Sequence, residues 1–181
     1  MTINSSAPSN IVAQCRMPSP LGDITLRATE RGLAAALFDA QKHHPGDSDA
    51  PDAPKHPHLA LATREFSAYF KDAQTRFTVP LDPQGSDFQQ SVWKLLLKIE
   101  PGRLSTYGQI ARELGPLTGS LGSQGARAVG SAVGRNPIAI IVPCHRVVGH
   151  DGSLTGYAAG LPRKEALLRH EGVMQTQDTL L

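Results

Sequence analysis

The hydrophobic and polar positions near the start of the chain alternate in three short runs, over residues 11–17, 23–28 and 33–38. Sequences rich in Pro, Gly and Ser or in charged residues separate the runs, as expected of hairpin turns. This pattern predicts a small antiparallel sheet. The segments that follow predict a helix over residues 59–71 and another short strand over residues 76–81.

The pattern changes to a helical period after residue 85. Ser86 and Gln89 form a capping-box signature at the start of the first helix, which ends at Pro101-Gly102. Its apolar face comprises Phe88, Val92, Leu95, Leu96 and Ile99.

Two more helices are predicted after it. The second begins after Ser105-Thr106, runs to about Leu114 and is ended by Gly115-Pro116. A loop rich in Gly and Ser leads to the third, at roughly residues 126–134. Two short helices around such a loop are typical of a helix-turn-helix, although two helices packed as plain core would give a similar pattern.

These patterns together predict an α/β (α+β) protein of two domains. Residues 1–84 would form an N-terminal domain with an antiparallel sheet and a helix. Residues 85–181 would form a helical C-terminal domain with a winged helix-turn-helix-like DNA-binding motif. Residues 41–58 are polar and rich in Pro and His, which predicts a mobile loop between elements of the first domain. The four histidines of this loop lack the spacing of a metal site, so no metal is expected there.

The composition is that of an ordinary globular protein, with 40% apolar and 19% charged residues in 181. No apolar run approaches the roughly 20 residues that a membrane helix needs, and the first residues do not resemble a secretory signal. A cytoplasmic location without membrane contact is therefore expected. In such a reducing compartment, Cys15 and Cys144 are predicted to be free thiols.

Basic residues are concentrated in the second half of the chain. The net charge is only +2, but seven Lys and Arg residues and only two acids lie between Lys94 and Arg146. A basic stripe of this kind is expected of a DNA-binding surface, although a solvated basic face would have the same composition.

The strongest chemical signal is Pro143-Cys144-His145-Arg146, delivered by an apolar run in the basic half. A cysteine is nucleophilic only as thiolate, so a neighbouring base such as His145 and a positive field from Arg146 would activate Cys144. A carboxylate usually orients such a base, and Glu171 is the candidate. Two alternatives remain open at this point: a buried cysteine that only packs, and a Cys-His hydrolase.

These residues resemble the acceptor-cysteine motif of the O6-alkylguanine-DNA alkyltransferases, also called methylated-DNA–protein-cysteine methyltransferases. The resemblance covers nearly all of residues 85–172 in order. Its other parts are Phe88–Trp93, Ser105-Thr106-Tyr107-Gly108, Gly125–Gly130, Asn136-Pro137, Gly156-Tyr157, Leu161–Gly172 and the turn Ser19-Pro20-Leu21-Gly22.

The resemblance implies a role for each matching residue. Cys144 would be the alkyl acceptor, His145 the base acting through a water, and Glu171 its orienting carboxylate. Asn136 would support the active-site turn, and Tyr107 would crowd the 3′ phosphate and contact the flipped purine. Arg127 would enter the base stack in place of the flipped guanine. The other residues that the resemblance implies as substrate or DNA contacts are Ala126, Ala128, Ser131, Arg135, Val147, Tyr157 and Ala158.

The resemblance also implies the reaction. A monomer would bind double-stranded DNA in the minor groove without sequence preference and flip the damaged nucleotide. It would then move a methyl or other alkyl group irreversibly from O6-alkylguanine, and from O4-alkylthymine, to its own cysteine in a single turnover. No cofactor is implied. A non-catalytic alkyltransferase-like binder is the chief alternative, but such relatives lack the acceptor cysteine that is present here.

Three features depart from the family pattern. Ala158-Ala159 stands where relatives usually have Gly or Ser followed by Gly, so a hydroxyl contact to the base is absent. The loop at residues 116–124 is several residues longer than usual. Some relatives bind a structural zinc in the N-terminal half, but Thr29 and Ala34 stand at positions that would supply ligands, and no zinc is expected.

Overall fold

The computed structural model describes residues 11–44, 46, 48–118 and 125–174. It contains five strands, five α-helices and one 3₁₀ turn within that part of the chain. In chain order these are β1 (Ala13–Met17), β2 (Ile24–Thr29), β3 (Gly32–Phe38), α1 (Pro57–Tyr69), α2 (Asp87–Leu96), β4 (Ser105–Thr106), α3 (Tyr107–Thr118), α4 (Gly125–Gly134), the 3₁₀ turn (Cys144–Arg146), β5 (Val147–Val148) and α5 (Leu161–His170). The predicted mixed α/β fold with a small antiparallel sheet is confirmed.

The three predicted N-terminal strands form an antiparallel sheet in the order β1-β2-β3. The turn between β1 and β2 closes through Ser19, whose hydroxyl donates to the Gly22 carbonyl at 2.5 Å, while Gly22 takes a φ of +103°. Helix α1 covers the sheet with a face of buried residues spaced three and four apart, namely Leu59, Ala62, Phe66 and Tyr69. The sheet and helix thus enclose one side of the core.

The predicted loop at residues 41–58 is irregular as far as His56, and α1 begins two residues earlier than predicted. The side-chain amide of Gln14 on β1 holds this segment by donating to the carbonyls of Ser48 and Ala50 at 3.0 and 2.9 Å. No group of three or more potential metal-binding side chains occurs among the described residues.

The predicted strand at residues 76–81 is wrong. In this segment only Leu81 forms a strand-like pair, a single bridge to Leu33 on the edge of β3 that faces away from β2. The backbone before it is held by the buried carboxylate of Glu65, which accepts from the Thr78 amide at 2.8 Å and the Val79 amide at 3.1 Å. Because a side chain satisfies these donors, no ladder forms there.

The predicted helices of the second half are present. Ser86 and Gln89 form the complete capping box of α2. Helix α3 extends four residues beyond the predicted end at Leu114, so Gly115-Pro116 does not end it as predicted. The short strands β4 and β5, which the sequence did not indicate, pair in parallel and bring the start of α3 beside Val147 and Val148. Most of the longer 116–124 loop lies outside the described residues.

The two halves of the chain share one hydrophobic core. Beyond Leu33, the edge of β3 is occupied by a segment from the second half. Ala36 donates to the Pro137 carbonyl and accepts from the Ala139 amide, both at 2.9 Å. The apolar run that leads to Cys144 is therefore fixed against the N-terminal sheet.

Glu65→Ala should lower the free energy of unfolding by about 2 kcal/mol, because it leaves two backbone amides and the Thr78 hydroxyl without their acceptor. Urea unfolding followed by circular dichroism measures the change. The matched control is Glu30→Ala at an exposed turn position. Equal stability losses in the two variants would contradict the assigned role of Glu65.

Candidate active site

Cys144 lies at the end of a tightly folded apolar segment. The buried residues from Ile138 to Val142 form a compact turn in which Val142 donates to the Ile138 carbonyl at 3.1 Å. Ile140 adopts a φ of +69°, which is unfavourable for a β-branched residue and indicates that the surrounding core imposes this turn. The chain then enters the 3₁₀ turn with Cys144 as its first residue, and Cys144 is only 5% exposed.

The buried Asn136 holds this turn from inside. Its side-chain carbonyl accepts from the Ile138 amide at 3.0 Å, and its amide nitrogen lies 2.8 Å from the Val142 carbonyl. The same nitrogen is 3.0 Å from Sγ of Cys144. Asn136 therefore both positions the sulfur and offers it a hydrogen bond that stabilises a negative charge.

His145 and Glu171 are joined by a buried hydrogen bond. Nε2 of His145, which is fully buried, lies 2.9 Å from Oε1 of Glu171, the residue that follows α5. Because a carboxylate only accepts, Nε2 carries the proton, and Nδ1 has the free lone pair of a base. Burial lowers the pKa of His145, so the imidazole rests in its neutral form. Glu171, which the sequence analysis gave as the candidate carboxylate to orient His145, is thus in contact with that residue.

Arg146 does not lie on a DNA-facing surface, and its predicted place in the basic stripe is wrong. The side chain is buried and forms a two-pronged ion pair with Glu171, with both nitrogen–oxygen distances 2.8 Å. It also donates to the Ile99 carbonyl. Although burial opposes ionisation, the hydrogen bonds and charges of His145 and Arg146 lower the pKa of Glu171 to about 2.

Burial raises the pKa of the Cys144 thiol, while the Asn136 hydrogen bond and the charge of Lys164 act in the opposite direction. The resting group is therefore a thiol, not the thiolate that a neighbouring positive field would give. Ionisation of Cys144 requires a group that takes its proton, and Nδ1 of His145 is a base without a hydrogen-bond partner among the described residues.

Lys164 is a buried charged residue near the site that the sequence analysis did not single out. It is fully buried on α5 and donates to the Val147 carbonyl at 2.5 Å and the Thr155 carbonyl at 2.7 Å. Burial lowers its pKa to about 8. The helical spacing of Lys164 with Leu167, Leu168 and Glu171 was the signal that it faces the core.

A loop at residues 155–160 covers the site next to Cys144. The hydroxyl of Tyr107, at the start of α3, lies 3.2 Å from the carbonyls of Thr155 and Gly156. Tyr157 is buried, Ala158 is half-buried, and the carbonyl of Ala158 accepts from the Lys42 amide at 2.8 Å. This loop therefore links α3 to the N-terminal half across the site.

The predicted recognition helix α4 presents small and basic residues outward. Ala126, Arg127, Ser131 and Arg135 are exposed, and Ala128 is half-buried. Val147, by contrast, is fully buried, so its predicted contact with substrate could involve only its backbone. The site residues thus fall into a buried group around Cys144 and an exposed group on α4.

No helix in the described part of the chain is long and apolar enough to cross a membrane.

Sequence comparison finds two family models that together match most of the chain. The ribonuclease-like domain of 6-O-methylguanine DNA methyltransferase matches residues 16–83, and the DNA binding domain of the same family matches residues 87–173. The methylated-DNA–protein-cysteine methyltransferase of Methanosarcina acetivorans is 44% identical over 156 residues, which cover 85% of this chain and 94% of the relative. The Mycobacterium tuberculosis protein with the same name is 44% identical over 154 residues, covering 84% of this chain and 88% of the relative.

Structure comparison gives the same result. The crystal structure of Mycobacterium tuberculosis OGT in complex with DNA is similar to this chain with a TM-score of 0.79 and 42% identity. The match covers 89% of this chain and 93% of that chain. A structure of the M. tuberculosis O6-methylguanine methyltransferase has a TM-score of 0.76 at 41% identity, covering 92% and 96% of the two chains.

Glu171→Gln should destabilise the protein by about 3 kcal/mol at neutral pH, because it leaves Arg146 buried without its partner. The folded protein holds the pKa of Glu171 at about 2, below its ordinary value of 4.5. This stabilisation is therefore complete above pH of about 4.5 and is lost as the pH falls towards 2.

Urea unfolding at a series of pH values tests this: the difference in unfolding free energy between wild type and variant should narrow as the pH falls from about 4.5 towards 2. The matched control is Glu165→Gln on α5, which breaks a partly exposed ion pair with Arg169 and should cost less than about 1 kcal/mol. A gap that stays constant with pH would contradict the argument.

Proposed function

The chain belongs to the 6-O-methylguanine DNA methyltransferase family, and on that basis we propose that it repairs DNA by taking an alkyl group from O6-alkylguanine onto Sγ of Cys144. The observation that carries the proposal is the buried arrangement of Cys144, Asn136, His145 and Glu171. It provides a nucleophile, a hydrogen bond to its sulfur, a neutral base and an anion that supports the base.

The reaction is a displacement at the alkyl carbon. The thiol proton passes to Nδ1 of His145 through a water, and the imidazolium is stabilised by Glu171. The sulfur–carbon bond forms as the bond between carbon and guanine O6 breaks, and the electron pair leaves with the base. The Tyr107 hydroxyl, which burial keeps protonated, is the proposed hydrogen-bond donor to the leaving guanine anion. The released guanine then takes up one proton and His145 gives up the one that it took from the thiol, so the net reaction replaces the thiol proton by the alkyl group.

The burial of Cys144 argues for base flipping. A sulfur with only 5% exposure cannot reach a carbon inside stacked DNA, so the damaged nucleotide has to be extruded at a cost of a few kcal/mol. The exposed Arg127 lies in the first turn of α4, where it can fill the space left in the stack. The small residues of the same helix suit a close approach to the minor groove without reading sequence. We propose that the protein acts as a monomer.

The product is a thioether, which has no easy leaving group, so we expect a single turnover. O4-alkylthymine presents the same chemistry, an alkyl carbon on an exocyclic oxygen, and is a second proposed substrate.

Incubation with excess duplex DNA that contains labelled O6-methylguanine should transfer one methyl group per chain, to Cys144 and not to Cys15. Cys15 is buried beside Thr63 and Asp52, and burial raises its pKa, so it should remain an unreactive thiol. Peptide mass spectrometry locates the methyl group, with Cys15→Ser and Cys144→Ser as the matched pair. Transfer by the Cys144→Ser variant, or many turnovers per chain, would refute the proposal. Binding without transfer would indicate a lesion binder instead.

Arg127→Ala should slow transfer from duplex DNA by about tenfold or more and leave transfer from free O6-benzylguanine within about twofold of wild type, because only the duplex needs a flipped base. Single-turnover rates on both substrates decide this. The control is Arg135→Ala directly after the last residue of α4, which should weaken binding to damaged and undamaged duplex alike. Equal losses on the two substrates would show that Arg127 shapes the pocket instead.

A further inference from the structure

Tyr69 connects the N-terminal half directly to the candidate acid–base group. It is the last residue of α1 and is 1% exposed. Its hydroxyl donates to Oε1 of Glu171 at 2.8 Å, a contact between residues 102 positions apart in sequence. It is thus a side chain of the first domain in contact with the carboxylate that supports His145.

Three donors converge on this one carboxylate oxygen. Oε1 of Glu171 accepts from Tyr69, from Nε2 of His145 at 2.9 Å and from Arg146 at 2.8 Å, while Oε2 accepts from Arg146. A carboxylate oxygen offers about two lone pairs, so three donors share its negative charge. A stronger bond from one donor leaves less charge for the others.

We propose that Tyr69 is a positioning residue for alkyl transfer, whose hydroxyl fixes Oε1 of Glu171 and limits how strongly that oxygen holds the proton on His145. The inference rests on the proposed function, because it assigns to Tyr69 an influence on the base of that reaction. It gives the N-terminal half a direct part in the chemistry.

The surroundings of Tyr69 hold its hydroxyl in this place. The ring packs against Phe77, with 5.7 Å between centroids, and edge-on against His170 at 5.1 Å. The backbone carbonyl of Tyr69 accepts from His170 at 2.6 Å, which ties the end of α1 to the end of α5. Burial and the Glu171 charge raise the pKa of Tyr69, so it remains a protonated donor.

The other charged and titratable groups around the pair are fixed by neighbouring elements. Arg146 and Lys164 disfavour the charged form of His145, and Glu171 favours it. The Cys144 thiol and the Tyr157 hydroxyl are buried nearby and rest protonated, since burial raises the pKa of each. None of these groups needs to change when the Tyr69 hydroxyl is removed.

Removing the hydroxyl should therefore make Oε1 a better acceptor for His145. The imidazolium is then more stable, and the pKa of His145 rises. The reactive form, with neutral His145 and a thiol, is lost as the pH falls through that pKa, so the rate of the variant should decline at a higher pH than in wild type.

The test is the single-turnover rate of methyl transfer to Cys144 against pH, for wild type and Tyr69→Phe. We expect the acidic limb to move up by about half a pH unit. The plateau rate should fall about threefold to tenfold, since the carboxylate loses one of its fixed contacts. An NMR titration of the His145 ring should show the same shift without any substrate.

The matched control is Leu59→Ala, which removes a buried side chain of α1 ten residues, or roughly 15 Å, from Tyr69. It should lower the unfolding temperature and leave the pH profile in place. Superimposable profiles for wild type and Tyr69→Phe, or an equal shift in Leu59→Ala, would overturn the inference.

Two further measurements test the proposal even if Tyr69→Phe folds poorly. Placing 3-fluorotyrosine at position 69 alone strengthens the donor, so the acidic limb should move down, and an unchanged limb would count against the proposal. The effect of Tyr69→Phe on the rate should also disappear in a Glu171→Gln background, and additive effects would overturn the inference. If wild type itself transfers no methyl group, the proposed function fails, whereas an unchanged profile in an active protein rejects only the role of Tyr69.

Discussion

The buried negative charge of Glu171 organises the part of the site around His145 and Arg146. An uncompensated carboxylate in a protein interior costs several kcal/mol, so its partners must be fixed around it. Arg146 supplies the compensating charge, and His145 and Tyr69 supply further hydrogen bonds. These partners come from the 3₁₀ turn and from α1, and Glu171 itself follows α5. The one carboxylate therefore sets how three parts of the chain meet, and it fixes the orientation of the His145 ring.

The burial of Cys144 imposes the second constraint. An exposed thiolate would react with many electrophiles, whereas a buried thiol is inert until a substrate reaches it and its proton is removed. In this chain the sulfur is enclosed by the turn that Asn136 holds and by the loop around Tyr157. Selectivity then depends on which group can be delivered to the sulfur. Such selectivity would suit the proposed single turnover, because an unselective reaction would consume the nucleophile.

Local signals predicted much of the fold, while contacts between distant residues escaped prediction. The capping box of Ser86 and Gln89 and the alternation of β1 to β3 act within a few residues, so they could be inferred from the sequence. The strand expected at 76–81 failed because its amides bond to Glu65, a side chain on α1. Arg146 was assigned to a surface for the same reason, since its ion pair with Glu171 spans 25 positions. The contact between His145 and Glu171 was anticipated because such a base usually has a carboxylate partner and because the family resemblance implied this role for Glu171.

Contacts between distant residues also explain why the N-terminal half is part of the site's scaffold and not an independent unit. The edge of β3 pairs with the segment leading to Cys144 through Ala36, and the Lys42 amide binds the carbonyl of Ala158 in the loop over the site. Because these are backbone hydrogen bonds in a shared core, displacing the sheet would move the nucleophile and the loop together. A recognition helix and a reactive cysteine are not sufficient for this geometry. The precise distance between sulfur, base and carboxylate depends on a scaffold to which both halves of the chain contribute.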